Sequence, residues 1–448
     1  MMESAIQLTG QPAKATIWRP FTQEHTTEPS LFIDHAKGVW LYTQDHKPVL
    51  DLIASWWVNV HGHAHPAIAQ AIYQQAQKLE QVIFACCSHQ PAIDLADKLG
   101  ALLPDPLTHL FFSDNGSTAV EVALKMAYQF WQNQGKKDKK RFIAFHGGYH
   151  GDTFGAMAAG QSSGFFQPFQ SLFFTVDFIS FPVTWDNDPE VEAKEEASYQ
   201  ELKQHLEHYA EQTAALIIEP LIQGSAGMRF CRPVFLQRIL ALLQEYEVIS
   251  IFDEVMTGFG RTGTLFATEQ CCNTKDTRHL VPDIICLSKG LTGGFLPLSL
   301  TVAKSSIYQG FLSEQVDKAL LHGHSYTANP LGCAAALASL DIFAQDGVME
   351  QIAMINSLHR QGMNKLATLP IVQHTRVKGA VAACDLVLSD AAYGSNFSKS
   401  LAQAFLQEGL LLRPLGNVLY LMPPYVISRE ELEGAYAKIY EVLYKCID

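Results

Sequence analysis

The middle of the chain alternates short apolar runs with helical patterns, and this alternation limits the fold more than any other feature of the sequence. The apolar runs carry few polar residues, as strands do when both of their faces are buried. Between them, helices are predicted over about Ser117–Trp131 and Phe235–Gln244. Buried strands separated by helices are typical of an α/β domain with a largely parallel sheet. The predicted strands are Thr108–Ser113, Arg141–Phe145, Ala214–Ile218, Val248–Phe252 and Ile284–Leu287.

A chain of 448 residues is too long for one simple core, so two domains are predicted. The stretch Gly323–Pro330 breaks the alternating pattern, and an Ala-rich helix is predicted over Leu331–Phe343. Further on, Ala380–Leu386 and Val418–Met422 are predicted to form a strand pair. The predicted division is an N-terminal segment over 1–60 that joins the smaller domain, a large domain over 61–329 and a smaller C-terminal α/β domain over 330–448.

Charge and cysteine content exclude several classes of protein. The formal net charge of -13 argues against nucleic acid or an anionic membrane surface as the main partner. No basic stretch followed by an apolar stretch opens the chain, and no apolar run reaches the roughly 18 residues of a membrane span. Nine cysteines without a C-x-x-C motif predict reduced thiols rather than a disulfide framework. A cytoplasmic protein is expected.

Two residues at predicted strand ends form a pair with a specific chemical use. Lys289, in the segment L-S-K-G, follows an apolar run and precedes a glycine-rich turn. Such a lysine can reach into a cleft, lose its proton there and form an imine with an aldehyde cofactor. Asp253 ends another apolar run, where a buried carboxylate can keep a pyridine nitrogen protonated. Taken singly, a solvated loop lysine and a capping aspartate would also explain these segments.

Two further segments are suited to a phosphorylated ring. The segment S-D-N-G-S-T at 113–118 runs from a predicted strand into a helix, where Gly116 permits close backbone approach and Ser117 adds a hydroxyl donor. It lacks the G-K-[ST] of a Walker loop, and a capped helix start would explain it equally well alone. In G-Y-H-G-D-T at 148–153, Tyr149 is positioned to stack on a cofactor ring and is a candidate catalytic residue, while Asp152 can orient a hydroxyl or a water.

Together and in this order, these segments resemble the class III aminotransferases of pyridoxal-phosphate fold type I, over nearly the whole chain. The matching segments lie at 113–118, 148–151, 219–224 (E-P and Q-G), 252–255 (F-D-E-V) and 288–290 (S-K-G). The resemblance implies that pyridoxal 5'-phosphate is the cofactor, that Lys289 holds it as a Schiff base and that Asp253 pairs with its pyridine nitrogen. It implies that Gly116 and Ser117 hold the phosphate. It also implies a homodimer in which Ser325 reaches the phosphate of the neighbouring subunit.

Three more segments resemble one branch of this family, whose acceptor is a long aliphatic keto acid. They lie at 17–23 (I-W-R-P-F-T-Q), 55–66 (S-W-W, then H-G and H-P) and 413–425 (R-P, then L-M-P-P-Y). Such an acceptor needs an aromatic or apolar tunnel, which we predict from Trp56, Trp57 and Tyr149. Its carboxylate needs a cation, which we predict to be Arg413. Phe21, where many relatives carry Tyr, keeps an apolar wall without the hydroxyl.

Gly323 and Arg261, a second candidate cation, complete the predicted substrate-binding set. The aromatic faces also suit an adenine ring and a sulfonium, which favours S-adenosylmethionine over lysine as amino donor. The alternative is another class III transaminase that uses lysine, or an ω-amino acid with pyruvate. A transcription regulator built on an idle aminotransferase domain would need a DNA-binding module, for which the short N-terminus leaves no room. His61, His63 and His65 alternate without nearby Cys or acidic ligands, so no metal site is predicted.

Overall fold

The computed structural model describes residues 17–25, 30–160, 166–345, 347–387 and 396–446, so the first sixteen residues of the predicted N-terminal segment lie outside the described residues. The strands are β1 (Ile33–Lys37), β2 (Trp40–Thr43), β3 (Pro48–Asp51), β4 (Leu107–Ser113), β5 (Arg141–Phe145), β6 (Val176–Ile179), β7 (Thr213–Ile218), β8 (Ile222–Gln223), β9 (Arg229–Phe230), β10 (Ile249–Asp253), β11 (Ile284–Leu287), β12 (Ser299–Lys304), β13 (Val372–Lys378), β14 (Val381–Leu386), β15 (Leu410–Leu411) and β16 (Val418–Leu421). The helices are α1 (Ala54–Trp57), α2 (Pro66–Ala76), α3 (Gln90–Leu102), α4 (Gly116–Asn133), α5 (Phe154–Ala159), α6 (Val191–Tyr209), α7 (Pro233–Glu245), α8 (Ser305–Gln309), α9 (Pro330–Phe343), α10 (Val348–Leu366), α11 (Asn396–Gln407) and α12 (Arg429–Tyr444).

The large sheet has the strand order β4-β12-β11-β10-β7-β5-β6. Its strands pair in parallel from β11 through β10, β7 and β5 to β6. Strand β12 runs against both of its neighbours, so β4 points the same way as β11. The predicted α/β fold with a mostly parallel sheet is confirmed, and the carboxyl ends of the parallel strands meet at one edge.

Helices cover both faces of this sheet, which explains why its strands are apolar at nearly every position. Ile217 and Ile251 pack in the same buried cluster as Val120 of α4. Their neighbours Leu216 and Phe252 point to the opposite face and pack with α7. Alternate residues of each strand therefore enter two different cores, and a polar residue has no solvated face to occupy.

Strand β12 is the element of this sheet that the sequence pattern did not predict. Its sequence S-L-T-V-A-K mixes polar and apolar residues and follows a stretch rich in glycine and proline, so it resembles a loop. In the structure both of its polar alcohols are buried. Thr301 donates its hydroxyl hydrogen bond to the carbonyl of Ala119 in α4, at 2.7 Å. A hydrogen-bond partner on another element makes the buried hydroxyl acceptable.

The two ends of the chain meet in smaller sheets. Strand β3 pairs in parallel with β15, which places Asp51 opposite Leu411. The predicted strand pair near the C-terminus is confirmed, because β14 and β16 are antiparallel neighbours. These pairings connect the N-terminal segment with the C-terminal part of the chain, as the predicted division requires, while the boundaries of that division stay a prediction.

Among the described residues, no single helix has both the length and the apolar character needed to cross a membrane. Helices α9 and α10 reach these limits only when taken together, and they are bent by 73° relative to each other.

Helix α9 begins at a proline after Asn329, whose side chain accepts hydrogen bonds from the N–H groups of Leu331 and Gly332.

Candidate active site

A cavity of about 690 Å³ lies at the edge where the parallel strands end. Open α/β sheets bind their ligands at this edge, because the loops that follow the strands converge there. The segments after β4, β5, β7, β10 and β11 all contribute to its lining. Six of the residues singled out in the sequence line it together: Trp57, Gly116, Ser117, Tyr149, Asp253 and Lys289.

Lys289 follows β11 directly and turns into the cavity. Its φ of +45° is unusual for a residue with a side chain and marks a turn that the surrounding structure must hold. The amine lies 4.7 Å from the ring centroid of Trp57. Burial lowers the pKa of Lys289 to about 8, against the opposing effect of the carboxylates of Asp253 and Glu219. About a tenth of this amine is therefore neutral, and nucleophilic, at pH 7, several hundredfold more than for a solvated lysine with its pKa of 10.5.

Asp253 is held rigidly at the end of β10. Its Oδ2 lies 2.7 Å from Nδ1 of His150, and its Oδ1 accepts the N–H of Val255 at 3.1 Å. Both side chains of the Asp253–His150 pair are almost completely buried. Nε2 of His150 has no hydrogen-bond partner among the described residues, although His150 also lines the cavity. A polar atom of this kind indicates a site built to receive a polar ligand.

Glu219 belongs to this cavity, and the sequence analysis gave it no role. It follows β7, and its carboxylate accepts the N–H of Tyr149 at 3.0 Å and the N–H of Gly224 at 2.9 Å. Burial raises the pKa of Glu219 to about 7, while nearby His150 acts in the opposite direction. An acidic residue directly after a wholly apolar strand was the available signal, since a strand buried on both faces rarely ends in an unpaired charge.

The predicted phosphate turn forms the N-terminus of α4. Asn115 caps the helix by accepting the N–H of Thr118 at 3.1 Å, which leaves the first N–H groups directed outward. Gly116 is required by close packing, because a Cβ there would lie 2.5 Å from Cγ1 of Val255. The hydroxyl of Ser117 lies 2.8 Å from that of Thr153 and accepts the Thr153 N–H at 3.0 Å. The segments at 113–118 and 148–153 therefore form one structure.

The predicted substrate wall divides into two parts. Trp57 is buried against the cavity, and its indole N–H donates to the hydroxyl of Tyr420 at 3.1 Å. Trp56 is 43% exposed and contacts Phe21 edge-on, with ring centroids 5.7 Å apart. The guanidinium of Arg413 lies 4.9 Å from the ring of Trp56. The pairing of β3 with β15 explains this meeting, because residues that follow the two strands emerge side by side.

Arg261, predicted as a second cation for the substrate, does not line the cavity. Its side chain is 1% exposed, and its guanidinium donates to the backbone carbonyls of Pro423, Trp57 and Asn59. These backbone carbonyls occupy Nη1 and Nη2, two nitrogens that a carboxylate would need, while Nε has no hydrogen-bond partner among the described residues. Arg261 is thus a buried residue that supports the backbone at Trp57 and Asn59.

Gly323 and Ser325 lie outside the cavity of their own chain and are exposed. The carbonyl of Ser325 accepts a hydrogen bond from the side chain of Gln81 at 2.8 Å. Within one chain, then, the cavity is assembled without either residue, which is compatible with a contribution from the neighbouring subunit. Their roles stay predictions.

Two of the three alternating histidines, His61 and His63, have hydrogen-bond partners in the protein. Nε2 of His61 lies 2.9 Å from the hydroxyl of Ser339, and Nε2 of His63 lies 2.9 Å from the carboxylate of Asp51. Burial lowers the pKa of His61 to about 3. Over the part of the chain that the structure describes, no group of three or more His, Cys, Asp or Glu side chains is arranged to hold a metal ion.

The model of the family described as "Aminotransferase class-III" matches residues 21–443. The chain belongs to the class III aminotransferases. The family predicted from the sequence motifs is therefore confirmed. This class III aminotransferase is similar in fold to solved structures and similar in sequence to the relatives named below.

Relatives of this class III aminotransferase include the adenosylmethionine-8-amino-7-oxononanoate aminotransferase of Synechococcus elongatus, which is 50% identical over 96% of this chain and 99% of its own length. The crystal structure of the enzyme of that name from Methanocaldococcus jannaschii has a TM-score of 0.89 and 37% identity, covering 96% of this chain and 97% of its own. An amine transaminase from an uncultivated Pseudomonas species, solved in its PLP-bound form, has a TM-score of 0.89 and 27% identity over 97% of this chain and all of its own.

Proposed function

We propose that this chain transfers an amino group from S-adenosylmethionine to 8-amino-7-oxononanoate and so makes 7,8-diaminononanoate for biotin synthesis. The observation that carries the proposal is one cavity that joins the amine of Lys289, the buried carboxylate of Asp253 and an aromatic wall of Trp57 and Tyr149. The names of relatives up to 50% identical over nearly the full chain support the choice of substrates.

The residues of the cavity fit pyridoxal 5'-phosphate. The N-terminus of α4, with Gly116 and Ser117, suits its phosphate group. Asp253 suits its pyridine nitrogen, and Lys289 suits its aldehyde carbon. When bound, this cofactor supplies an electron sink for the electrons released when a substrate C–H bond breaks. The unpartnered Nε2 of His150 agrees with a polar ligand in the same space.

Lys289 serves the reaction in two ways. As a neutral amine it would hold the aldehyde carbon of the cofactor, and as a free amine it would accept the proton that leaves the substrate Cα. Its lowered pKa, about 8, suits both tasks near neutral pH. The ring of Trp57, whose centroid lies 4.7 Å from the amine, keeps water away from it.

The carboxylate of Asp253 is held in place by His150 and by the N–H of Val255, and there it would keep the cofactor ring nitrogen that it faces protonated. Tyr149 covers the cavity from the other side. Burial and the Asp152 carboxylate raise the pKa of the Tyr149 phenol, so this hydroxyl remains a hydrogen-bond donor throughout the working pH range.

The two substrates use the same wall in turn. Trp56 and Phe21 offer flat apolar faces to the aliphatic chain of the keto acid and to the adenine ring of the donor. Arg413 can bind the distal carboxylate of the keto acid with two parallel hydrogen bonds. We place the enzyme in the cytoplasm as a homodimer, with Ser325 and Gly323 of each chain contributing to the neighbouring site.

The test is to mix the purified holoenzyme with 8-amino-7-oxononanoate and either S-adenosylmethionine or lysine, and to measure the diamine by mass spectrometry. We expect diamine with S-adenosylmethionine. If diamine forms faster with lysine, the assignment of the acceptor stands and lysine replaces S-adenosylmethionine as the assigned donor. No diamine with either donor, together with turnover of an ω-amino acid and pyruvate, would replace the proposed function by a general class III transaminase.

A further inference from the structure

The turn that carries the two tryptophans has a strained backbone. Ala54, Ser55 and Trp57 have φ values of +50°, +59° and +67°. Residues with a side chain seldom adopt such values, and they persist only where surrounding contacts enforce them. Three of them within four residues therefore need a strong local restraint, and such clusters occur typically at functional sites.

This turn has a visible consequence, because it sends two adjacent side chains to two different walls. Trp57 is 6% exposed and covers the amine of Lys289. Trp56 is 43% exposed and lies against Phe21 and Arg413. Trp57 thus lines the cavity at its reacting end, whereas Trp56 lies outside the cavity lining, beside the cation that we assign to the distal carboxylate of the acceptor.

Asp51 supplies the restraint. It is the last residue of β3 and is fully buried. Its Oδ2 accepts the backbone N–H of Ser55 at 2.6 Å and the Ser55 hydroxyl at 3.2 Å. Its Oδ1 accepts the N–H of Ile53 at 3.1 Å. Hydrogen bonds to a buried carboxylate are among the stronger ones in proteins, and those from Ile53 and Ser55 enforce the turn directly.

Two cationic or protonatable side chains complete the arrangement. His63 lies with Nε2 2.9 Å from Oδ2 of Asp51, and its Nδ1 lies 3.1 Å from the side-chain amide of Asn59. Arg261 holds the other end of the turn through the carbonyls of Trp57 and Asn59. The charge of Arg261 also acts on Asp51 electrostatically, so that neither buried ion lacks an opposite charge.

We propose that Asp51 is a positioning residue for the acceptor: by enforcing the turn at 53–57, it sets the separation between the wall at Lys289 and the wall at Arg413. This inference rests on the proposed function for the identity of the acceptor only. Asp51, supported by His63, thereby matches the length of the site to the length of an aliphatic keto acid. Neither residue touches the reacting atoms.

The first test needs no substrate. Hydrogen–deuterium exchange of the apoprotein, read by mass spectrometry on peptides covering 53–60, compares the wild type with Asp51→Asn. Asn retains one acceptor oxygen and carries an NH2 group in place of the other, so whichever of the Ile53 and Ser55 amides faces the NH2 group should exchange about tenfold faster. The matched control is Asp188→Asn, another buried aspartate that binds Lys194 at 2.7 Å far along the chain. Wild-type exchange at 53–60 in the folded Asp51 variant would overturn the proposal.

The second test separates positioning from general stability. In the holoenzyme, Asp51→Asn should raise KM for the keto acid about tenfold while kcat falls by less than about threefold. Adding Ser55→Gly should recover much of that loss, because glycine adopts a positive φ without restraint. Should Asp51→Asn not fold, His63→Ala removes one contact to the carboxylate and is read in the same way. An unchanged KM would overturn the proposal, whereas a wild type without diamine would overturn only the proposed function.

Discussion

At the scale of single residues, the site depends on a few charged groups whose surroundings change their chemistry. Lys289 is the clearest case, since burial beside Trp57 lowers its pKa to about 8, whereas a solvated lysine has a pKa of 10.5. The same burial keeps the carboxylates of Asp253 and Glu219 close to it. The charges of these three groups offset one another, so that substitution of any one alters the pKa values of the others.

The capture of pyridoxal phosphate by the apoprotein should follow the neutral fraction of the Lys289 amine. The pKa of this amine is lowered, so the amine is protonated below about pH 8 and neutral above it. The rate of capture should rise with pH, reach half of its maximum near pH 8 and level off above about pH 9, as measured by stopped-flow absorbance. A rise that continues toward pH 10 would show an ordinary solvated lysine.

Borohydride reduction followed by peptide mapping should place the cofactor on Lys289, and an adduct on any other lysine would refute its assignment.

Asp253→Asn should retain the cofactor but lower turnover by at least about two orders of magnitude, because the ring nitrogen loses the anion that keeps it protonated. Steady-state kinetics and the absorbance of bound cofactor measure the two effects separately. Asp253→Glu, which keeps the charge, should lose less turnover than Asp253→Asn. Near-normal turnover in Asp253→Asn would leave this residue a structural partner of His150 only.

Arg413→Ala should raise KM for the keto acid far more than KM for the amino donor. The lost contact is a charge-assisted hydrogen-bond pair worth about 1.5–3 kcal/mol, or roughly ten- to a hundredfold in affinity. Arg413→Lys keeps the charge without the two-pronged geometry, so its effect should be intermediate. Equal effects on both half-reactions would show that Arg413 also serves the donor or holds Trp56 in place.

At the scale of elements, the phosphate turn depends on the contact between two loops as much as on helix α4. Gly151 has a φ of +123°, and a Cβ there would lie 2.2 Å from the Ser117 hydroxyl oxygen. This clash would push Ser117 away from the helix N-terminus. Ser117 can therefore keep its position at the helix N-terminus only because a second segment, which follows a different strand, has no side chain at Gly151.

Gly151→Ala should weaken cofactor binding by about tenfold or more, because it displaces a charge-assisted donor to the phosphate. Equilibrium dialysis of pyridoxal phosphate gives the dissociation constant. The control is Gly135→Ala, at a φ of +77° in open space, which carries similar backbone strain without a clash. Cofactor affinity lowered equally in both variants would mean that backbone strain alone, and not the position of Ser117, is responsible.

At the scale of the whole molecule, we predict that a second chain completes the site with its exposed Ser325. We expect the holoenzyme to sediment at twice the chain mass of 49.7 kDa. Hydrogen exchange over 323–329 should be slower in this dimer than in a monomer obtained by dilution, because the partner covers the segment. A holoenzyme that turns over while sedimenting as a monomer would contradict the predicted homodimer and the predicted contact of Ser325.

Much of the fold was predictable from the sequence because the central strands are buried on both faces. The strands at 141–145 and 284–287 occur where their apolar runs predicted them, since such runs have no alternative solvated position. Strand β12 was not predicted, because its buried Thr301 is acceptable in the core only through its hydrogen bond to the Ala119 carbonyl. A hydrogen bond to another element leaves no local signal in the sequence.

By itself, the sequence determined the family, the fold class and the local segments that bring Lys289 and Asp253 to strand ends. Short segments carry that information because each residue needs only its own strand and the turn after it. The tertiary structure alone decided that Arg261 braces the wall from behind, that Glu219 enters the cavity and that Asp51 enforces the tryptophan turn. In each of these cases the partner atoms come from a different strand end or turn, and only the packed fold specifies which distant groups meet.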